Sequence, residues 1–327
     1  MNTEPTTETP HATIALLFPG QGSQSVGMGR ALYDASPAAR AVFEEADDAL
    51  GFALSRLIFD GPEEQLKLTE HTQPAILTMS IAALRVLEAE LAARGFRPSF
   101  AAGHSLGEYS AHVAAGTFSF ADAVRTVRAR GQFMQSAVPA GQGAMAAILG
   151  LPVEQIVAAC AEAASAGAVS PANMNSPAQT VISGALAAVE RAAALCLEAG
   201  AKKAVMLPVS APFHCSLMQP AQDRLAEALA AVAFHDPAYP VAANVDAALM
   251  TSGAAVREAL VRQVTGAVRW VECIQLLAAS GANQFIEVGP GKVLCGLNRQ
   301  IDRALATSNV EDPASLEKAL AALTSAA

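Results

Sequence analysis

The chain has 327 residues, of which 52% are hydrophobic and 16% charged, and its formal net charge is −9. This composition predicts a water-soluble protein with a substantial core, in one large domain or two unequal ones. The negative charge and the lack of a basic run argue against a nucleic-acid-binding surface. No apolar stretch approaches the length of a membrane span. We therefore expect a cytoplasmic protein that binds neither nucleic acid nor a membrane. Five cysteines without C-x-x-C spacing predict buried, reduced thiols.

The chain begins with a polar stretch, and residues 1–12 are expected to form a flexible leader. The apolar run 14–18 then predicts a buried strand, because Pro19 and Gly20 end it. The loop 19–24, Pro-Gly-Gln-Gly-Ser-Gln, is glycine-rich, but no Lys-Ser/Thr follows its glycines and the G-x-G-x-x-G spacing is missing. A nucleotide-binding loop is therefore the weaker interpretation.

Helical periodicity follows over residues 38–50, 73–93 and 120–138, and predicted strands alternate with these helices. This order predicts an α/β fold with a mainly parallel sheet, in which functional sites form at the carboxyl ends of strands.

A serine flanked by glycines lies where a predicted strand, 97–103, meets a predicted helix, 106–115. The run Gly103-His-Ser-Leu-Gly107 has the G-x-S-x-G nucleophile-elbow pattern, whose small residues permit a sharp turn that exposes the hydroxyl. Ser105 is therefore the candidate nucleophile. The five-residue pattern by itself fits equally well a serine that only caps a helix, and the strand-turn-helix context favours the nucleophile.

The middle of the chain has a different order of elements. Strands are predicted at 144–149, 168–173, 179–183 and 203–209, with helices at 153–165 and 186–199. The order β-α-β-β-α-β is typical of a ferredoxin-like unit.

A serine needs a general base, and the chain offers six histidines: His11, His71, His104, His112, His214 and His235. His104 is more consistent with a supporting hydrogen-bond group, and His112 with packing. His214 follows the last of the predicted middle strands, where a base is expected. From the residues alone, His214 fits a general base and a structural histidine equally well.

Seven motifs follow one another along the chain: Phe18-Pro-Gly-Gln-Gly-Ser-Gln24, Thr72-Gln-Pro-Ala75, Gly103-His-Ser-Leu-Gly-Glu-Tyr109, Arg128-Ala-Arg-Gly131, Asn173-Met-Asn-Ser-Pro177, Ala211-Pro-Phe-His214 and Glu287-Val-Gly-Pro-Gly291. With these motifs in this order, the chain resembles malonyl-CoA:acyl carrier protein transacylases. The resemblance covers nearly everything after about residue 12.

The resemblance implies a hydrolase-like large subdomain, 13–139 and 208–327, with a small ferredoxin-like subdomain inserted at 140–207. It also implies a Ser105–His214 dyad in which the backbone carbonyl of Gln263, rather than a carboxylate, orients the imidazole. The oxyanion would be bound by the backbone N–H groups of Gln21 and Leu106.

The same resemblance assigns Arg130 to the free carboxylate of a malonyl group, which a guanidinium can bind through two hydrogen bonds. Spacing alone favours an exposed helix face for Arg130, shared with Arg125 and Arg128. Phe213 matches the form associated with malonyl rather than methylmalonyl substrates. Three further positions match the pocket of the family: Gln73, Met134 and Asn175. From the residues alone, Gln73 instead begins a helix before Pro74, and Met134 is ordinary core.

The implied reaction is a ping-pong transfer of malonyl from malonyl-CoA to the phosphopantetheine of acyl carrier protein, in fatty-acid biosynthesis, by a monomer without cofactor or metal. Because carrier proteins are themselves acidic, a local basic patch is required, and Lys202-Lys203 fits either this patch or a solvated strand end. Two alternatives stay open: a stand-alone acyltransferase of a polyketide synthase, and a serine esterase or thioesterase.

Overall fold

The computed structural model describes residues 12–209 and 211–326, so residues 1–11 of the predicted leader, including His11, lie outside it. Its ten strands are β1 (Ile14–Phe18), β2 (Pro98–Gly103), β3 (Gly143–Leu149), β4 (Val169–Ser176), β5 (Gln179–Ala185), β6 (Lys203–Met206), β7 (Val241–Ala243), β8 (Ala248–Met250), β9 (Gln284–Val288) and β10 (Ala306–Val310). Its fourteen α-helices are α1 (Arg30–Ala35), α2 (Pro37–Leu50), α3 (Leu54–Asp60), α4 (Glu63–Leu66), α5 (Thr69–Ala93), α6 (Gly107–Ala114), α7 (Phe120–Ser136), α8 (Val153–Ala163), α9 (Leu186–Glu198), α10 (Gln219–Ala230), α11 (Gly253–Gln263), α12 (Trp270–Ala279), α13 (Val293–Ile301) and α14 (Pro313–Ala326).

The larger sheet has six strands in the order β10-β9-β1-β2-β7-β8. All neighbours in it are parallel except the β7–β8 pair. Every residue of β1 is buried, as expected for a central strand covered by helices on both faces. Because β1 and β2 are parallel and adjacent, the glycine-rich loop after β1 and the elbow after β2 lie at the same edge.

The smaller sheet is antiparallel, in the order β4-β5-β3-β6, and α8 and α9 pack together with it around a separate core. This confirms the predicted fold class, a mainly parallel α/β sheet with a ferredoxin-like unit. The strands of this unit fall between Gly143 and Met206, and the limits at 140 and 207 stay a prediction.

Three predicted element boundaries were wrong by three residues or more. Strand β4 ends at Ser176 rather than at residue 173. Helix α5 begins at Thr69, so Gln73 is not a helix-start residue and Pro74 lies inside the helix. Buried packing compensates for the hydrogen bond that Pro74 cannot donate, since nearly the whole stretch from Thr72 to Leu84 is buried. Strand β6 ends at Met206 rather than at residue 209, so a longer loop leads to His214.

All five cysteines are free and buried, and burial raises the pKa of each thiol. Among the helices that the structure describes, none is long and apolar enough to cross a membrane.

Candidate active site

The turn after β2 places Ser105 in a left-handed backbone conformation, with φ of 52°. The two flanking glycines are required by close packing. A Cβ on Gly103 would lie 1.9 Å from the carbonyl carbon of Gly107, and a Cβ on Gly107 would lie 2.1 Å from the carbonyl oxygen of Phe18. The Ser105 hydroxyl makes no capping bond to α6 and instead contacts His214 and Arg130, so the helix-cap interpretation was wrong.

His214 lies in the loop beyond β6 with its Nε2 2.7 Å from Ser105 Oγ. Its Nδ1 is 2.9 Å from the carbonyl oxygen of Gln263 and 3.1 Å from that of Gly266. Two carbonyls can only accept, so Nδ1 carries the proton and Nε2 is left to accept one from the serine. Burial, and then the charge of Arg130, lower the pKa of His214 to about 3, which keeps the imidazole neutral.

None of the other described histidines forms a hydrogen bond to the serine hydroxyl. His104 Nε2 is 2.8 Å from Asn175 Oδ1, and His112 Nδ1 is 3.3 Å from Thr117 Oγ1 in a fully buried position. His71 pairs with the carbonyl oxygen of Gln65. The geometry therefore singles out His214 as the base next to Ser105.

Arg130 is buried on the inner face of α7, and the exposed position that spacing favoured was wrong. Its Nη1 donates to Gln73 Oε1 (2.8 Å), and its Nη2 donates to Ser105 Oγ (3.1 Å) and to Gln263 Oε1 (2.9 Å). Its Nε has no hydrogen-bond partner among the described residues. Because all these acceptors are neutral, the buried guanidinium lacks a directly bonded anion, and burial lowers its pKa.

A cavity of about 130 Å³ opens between the two sheets at this point. Eight of the ten predicted site residues line it, together with residues of the smaller sheet such as Met145. The eight are Gln21, Gln73, Ser105, Leu106, Arg130, Met134, Phe213 and His214. Asn175 lines a neighbouring cavity instead, and Gln263 lies fully buried behind Arg130.

The cavity wall includes Gln21 and Leu106, whose backbone N–H groups donate to no acceptor within residues 12–209 and 211–326. Gly20 lets the loop approach the elbow, because a Cβ there would lie 2.5 Å from the carbonyl oxygen of His104. Two free backbone donors beside a serine hydroxyl can bind an oxyanion.

Two residues that hold the elbow were not among the predicted site residues. Asn244, just after β7, accepts from the Ser105 N–H at 2.7 Å and donates to the Gly103 carbonyl oxygen at 2.7 Å. Glu108 is fully buried and accepts from Gln263 Nε2 at 2.7 Å and from the Asn244 N–H at 3.1 Å. Glu108 was visible within the elbow motif, whereas Asn244 is 139 residues from Ser105 and no local pattern marks it.

The family model described as "Acyl transferase domain" matches residues 15–316, so the chain is an acyltransferase by family. A malonyl CoA-acyl carrier protein transacylase of Escherichia coli is 51% identical over 94% of this chain and 98% of its own length, and one of Bacillus subtilis is 51% identical over 95% and 97%. The chain therefore belongs to the family of malonyl CoA-acyl carrier protein transacylases.

Solved structures agree with this assignment. An acyl carrier protein S-malonyltransferase from Vibrio cholerae shares 49% identity with a TM-score of 0.90, covering 94% of this chain and 99% of that one. A malonyl-transacylase solved in complex with a type II polyketide acyl carrier protein shares 48% identity with a TM-score of 0.92, covering 95% of this chain and all of that chain.

Proposed function

We propose that the protein transfers a malonyl group from malonyl-CoA to the phosphopantetheine thiol of acyl carrier protein, through a malonyl ester of Ser105. The main observation behind the proposal is that one serine hydroxyl contacts both a candidate base and a candidate carboxylate-binding group. Ser105 Oγ lies 2.7 Å from a neutral imidazole and 3.1 Å from a buried guanidinium that has no bonded carboxylate among the described residues.

In the first half-reaction His214 Nε2 takes the Ser105 proton while Oγ attacks the thioester carbonyl carbon. The carbonyl oxygen gains the negative charge, which the N–H groups of Gln21 and Leu106 stabilise. The carbon–sulfur bond then breaks, the imidazolium returns its proton to the leaving sulfur, and coenzyme A departs. Malonyl stays on Ser105 as an ester.

In the second half-reaction the phosphopantetheine thiol of the carrier gives its proton to His214 Nε2 and attacks the ester. The same two N–H groups stabilise the second oxyanion, and Ser105 leaves with the proton that the imidazole returns. The residues already described supply every proton transfer and charge that these steps need. The carrier brings the only prosthetic group, and malonyl-CoA enters as substrate.

Arg130 supplies selectivity in this proposal. A malonyl carboxylate beside Ser105 would give the guanidinium the anion it lacks, with Nε and the Nη atoms as donors. A neutral acyl chain would leave the guanidinium without a directly bonded anion, and removing one member of a buried charge pair costs roughly 3 to 5 kcal/mol. The site therefore favours malonyl over acetyl groups.

The test of the function is the fate of radiolabelled malonyl-CoA with and without carrier protein. Transfer predicts label on the carrier and little free malonate. Release of malonate at similar rates in both reactions would instead establish a thioesterase. Intact mass of the enzyme after malonyl-CoA alone should show one malonyl group.

A second candidate is the same transfer to the carrier of a polyketide synthase. This candidate is supported by the relative of 48% identity that was solved in complex with a type II polyketide acyl carrier protein. The chemistry is identical, so a panel of fatty-acid and polyketide carriers, compared by kcat/KM, decides between the pathways. Cytoplasmic location and the monomeric state stay predictions.

Phe213 sets the shape of the pocket next to the base, since it lines the cavity and is 8% exposed. Its ring fills space that an α-methyl group would need. We expect Phe213→Ser to increase kcat/KM for methylmalonyl-CoA relative to malonyl-CoA by about tenfold, the effect of one methyl-sized space. Steady-state kinetics with both substrates measure the ratio, and an unchanged ratio would remove Phe213 from selectivity. Phe133→Ser, on α7 outside the cavity lining, is the control.

Five exposed cations form a surface that we call the basic rim: Lys202, Lys203, Lys292, Arg299 and Arg303. None of them takes part in an ion pair within the described parts of the chain. Two contacts connect the part of the rim on the smaller sheet, which carries Lys202, with the part on α13. Ser176 at the end of β4 donates to Gln300 on α13, and the Lys202 side chain packs at Gly150, whose N–H donates to Ala178.

Helix α13 connects the basic rim to the second cavity. Val293 and Leu297 of this helix line the cavity, and the rim residues Lys292 and Arg299 lie just before the helix and on it. Gln21 and His104 line both cavities, so this second cavity adjoins the one at Ser105. An acidic carrier would be attracted to this rim in spite of the overall charge of −9, and the adjoining cavities give its phosphopantetheine a route to the serine.

We expect the double change Arg299→Glu and Arg303→Glu to raise the KM for carrier protein by about tenfold or more at low salt, because rim charges mainly act on association. The difference should shrink as salt is added. Arg56→Glu, an exposed cation on α3 that forms no ion pair among the described residues, is the matched control. Equal KM values for the double variant and the control would place docking elsewhere. Malonyl loading is measured separately, because coenzyme A is also anionic.

A further inference from the structure

Behind the cavity, Gln263 connects four groups of the site. Its Nε2 donates to the carbonyl oxygen of Ser105 (2.9 Å) and to Glu108 Oε2 (2.7 Å), and its Oε1 accepts from Arg130 Nη2. Its backbone carbonyl oxygen accepts from His214. These partners fix the orientation of the Gln263 amide. Its NH2 group faces two acceptors, and a flipped amide would instead point this group at the guanidinium, which is itself a donor.

Glu108 carries the buried carboxylate of this network, and it is also the acceptor for the N–H of Asn244, which holds the elbow. Its other oxygen, Oε1, has no hydrogen-bond partner among the described residues and lies 4.0 Å from His112 Nε2, which is also without one. Glu108 thus contacts neither Ser105 Oγ nor His214, and it reaches Arg130 only through the Gln263 amide.

We infer that Glu108 is the internal counterion and positioning residue of Arg130: it aligns the guanidinium through Gln263, and it takes up a proton when the acyl carboxylate binds there. This inference rests on the proposed function, because it concerns the carboxylate that Arg130 receives. One arginine balances one carboxylate. When a second carboxylate binds, the site carries an excess negative charge, which protonation of Glu108 removes.

The charged and titratable groups around Glu108 support this assignment. Tyr109 and His112 lie on its own helix α6, Arg130 on α7, Asp246 between β7 and β8, and Cys273 on α12. Arg130 is the cation among them, and burial keeps Tyr109, His112 and Cys273 uncharged. Burial raises the pKa of Glu108 to about 7, although Gln263, Asn244 and Arg130 each act to lower it. Both protonation states are therefore accessible near neutral pH.

The consequence is a defined pH dependence. Malonyl binding is favoured by protonated Glu108, so affinity should fall as pH rises above the pKa of this carboxyl, by at most about tenfold per pH unit for a single proton. Glu108→Gln keeps an acceptor oxygen for Gln263 and Asn244, and its amide group would face the unpartnered His112 Nε2. This variant should fold normally and imitate the protonated state.

The experiment measures KM and kcat for malonyl loading between pH 6 and 8.5 in the wild type and in Glu108→Gln. The wild-type KM should rise severalfold over this range, and the KM of Glu108→Gln should stay flat. Titration of coenzyme A phosphates affects both proteins equally and cancels in the comparison. Parallel KM profiles would overturn the inference.

A second variant tests positioning. Glu108→Ala removes the acceptor for Gln263 and should lower kcat for loading by about 10- to 100-fold, as misplaced catalytic groups do, while Glu108→Gln keeps most of it. Equal kcat in Glu108→Ala and wild type would overturn the positioning role. Intact mass separates this inference from the proposed function: a malonyl adduct on Ser105 in Glu108→Gln supports the function even if the KM profiles are parallel.

Discussion

Ser105→Ala is expected to eliminate the malonyl adduct and to lower malonyl transfer by about 10⁴-fold or more, as loss of a nucleophile does in serine enzymes. The reason is that no other described hydroxyl lies against His214 Nε2, while the cavity, Arg130 and the N–H groups of Gln21 and Leu106 stay in place. Substrate binding should therefore persist without the covalent step. Intact mass after incubation with malonyl-CoA, and single-turnover kinetics, measure the two effects.

Ser110→Ala is the matched control for this change. Ser110 lies on α6, fully buried, and its hydroxyl has no hydrogen-bond partner in the described part of the chain. Its removal should leave both adduct and transfer near wild-type levels. Persistence of the adduct in Ser105→Ala would move the nucleophile to another residue and would end the proposed mechanism.

Arg130→Ala should lower kcat/KM for malonyl-CoA by about 150- to 5,000-fold, which corresponds to the roughly 3 to 5 kcal/mol of a buried charge pair. It should at the same time increase the relative use of acetyl-CoA, since the cavity loses a buried charge that a neutral acyl group cannot satisfy. The variant should stay folded, because the guanidinium bonds directly only to neutral acceptors and because Glu108, the carboxyl that it balances, can take up a proton near neutral pH. Parallel assays with both thioesters, and a thermal melt, check these expectations.

Two further arginine variants sharpen the result. Arg130→Lys keeps the charge but loses the two-bond geometry, and should fall between wild type and Arg130→Ala. Arg128→Ala is the matched control, because Arg128 lies on the same helix with its guanidinium over the Phe52 ring, 4.7 Å from the centroid, and does not line the cavity. An unchanged ratio of malonyl to acetyl activity in Arg130→Ala would remove Arg130 from substrate selection.

The parts of the fold that local chemistry dictates were predictable. The buried run of β1, the strand and helix around the elbow, and the β-α-β-β-α-β order of elements in the smaller unit all follow from apolar patterning and from glycines. The start of α5 was not, because tertiary burial outweighs the helix-breaking tendency of Pro74. The end of β6 was also missed, because a strand ends where its pairing ends. The pairing with β3 stops at Met206, although the apolar pattern continues beyond it.

The candidate site also has parts that local motifs predict and parts that depend on tertiary packing. The sequence brought Ser105, Gln21 and His214 forward through motifs, and their catalytic roles stay predictions, as do those of the other site residues. The inward position of Arg130 depends on how α7 packs against α5, where Gly131 permits a close approach to the backbone of Thr69. The Glu108–Gln263 contact joins residues 155 positions apart, which no spacing within one chain reveals.

The burial of all five thiols has a practical consequence for measuring carrier association. A raised pKa leaves little thiolate at neutral pH, and thiolate is the form that alkylating dyes attack. A cysteine introduced at Val293, which is 53% exposed beside the second cavity, would be labelled selectively without removing any native cysteine. If the carrier docks at the basic rim as proposed, a fluorophore there would report its arrival and departure in real time.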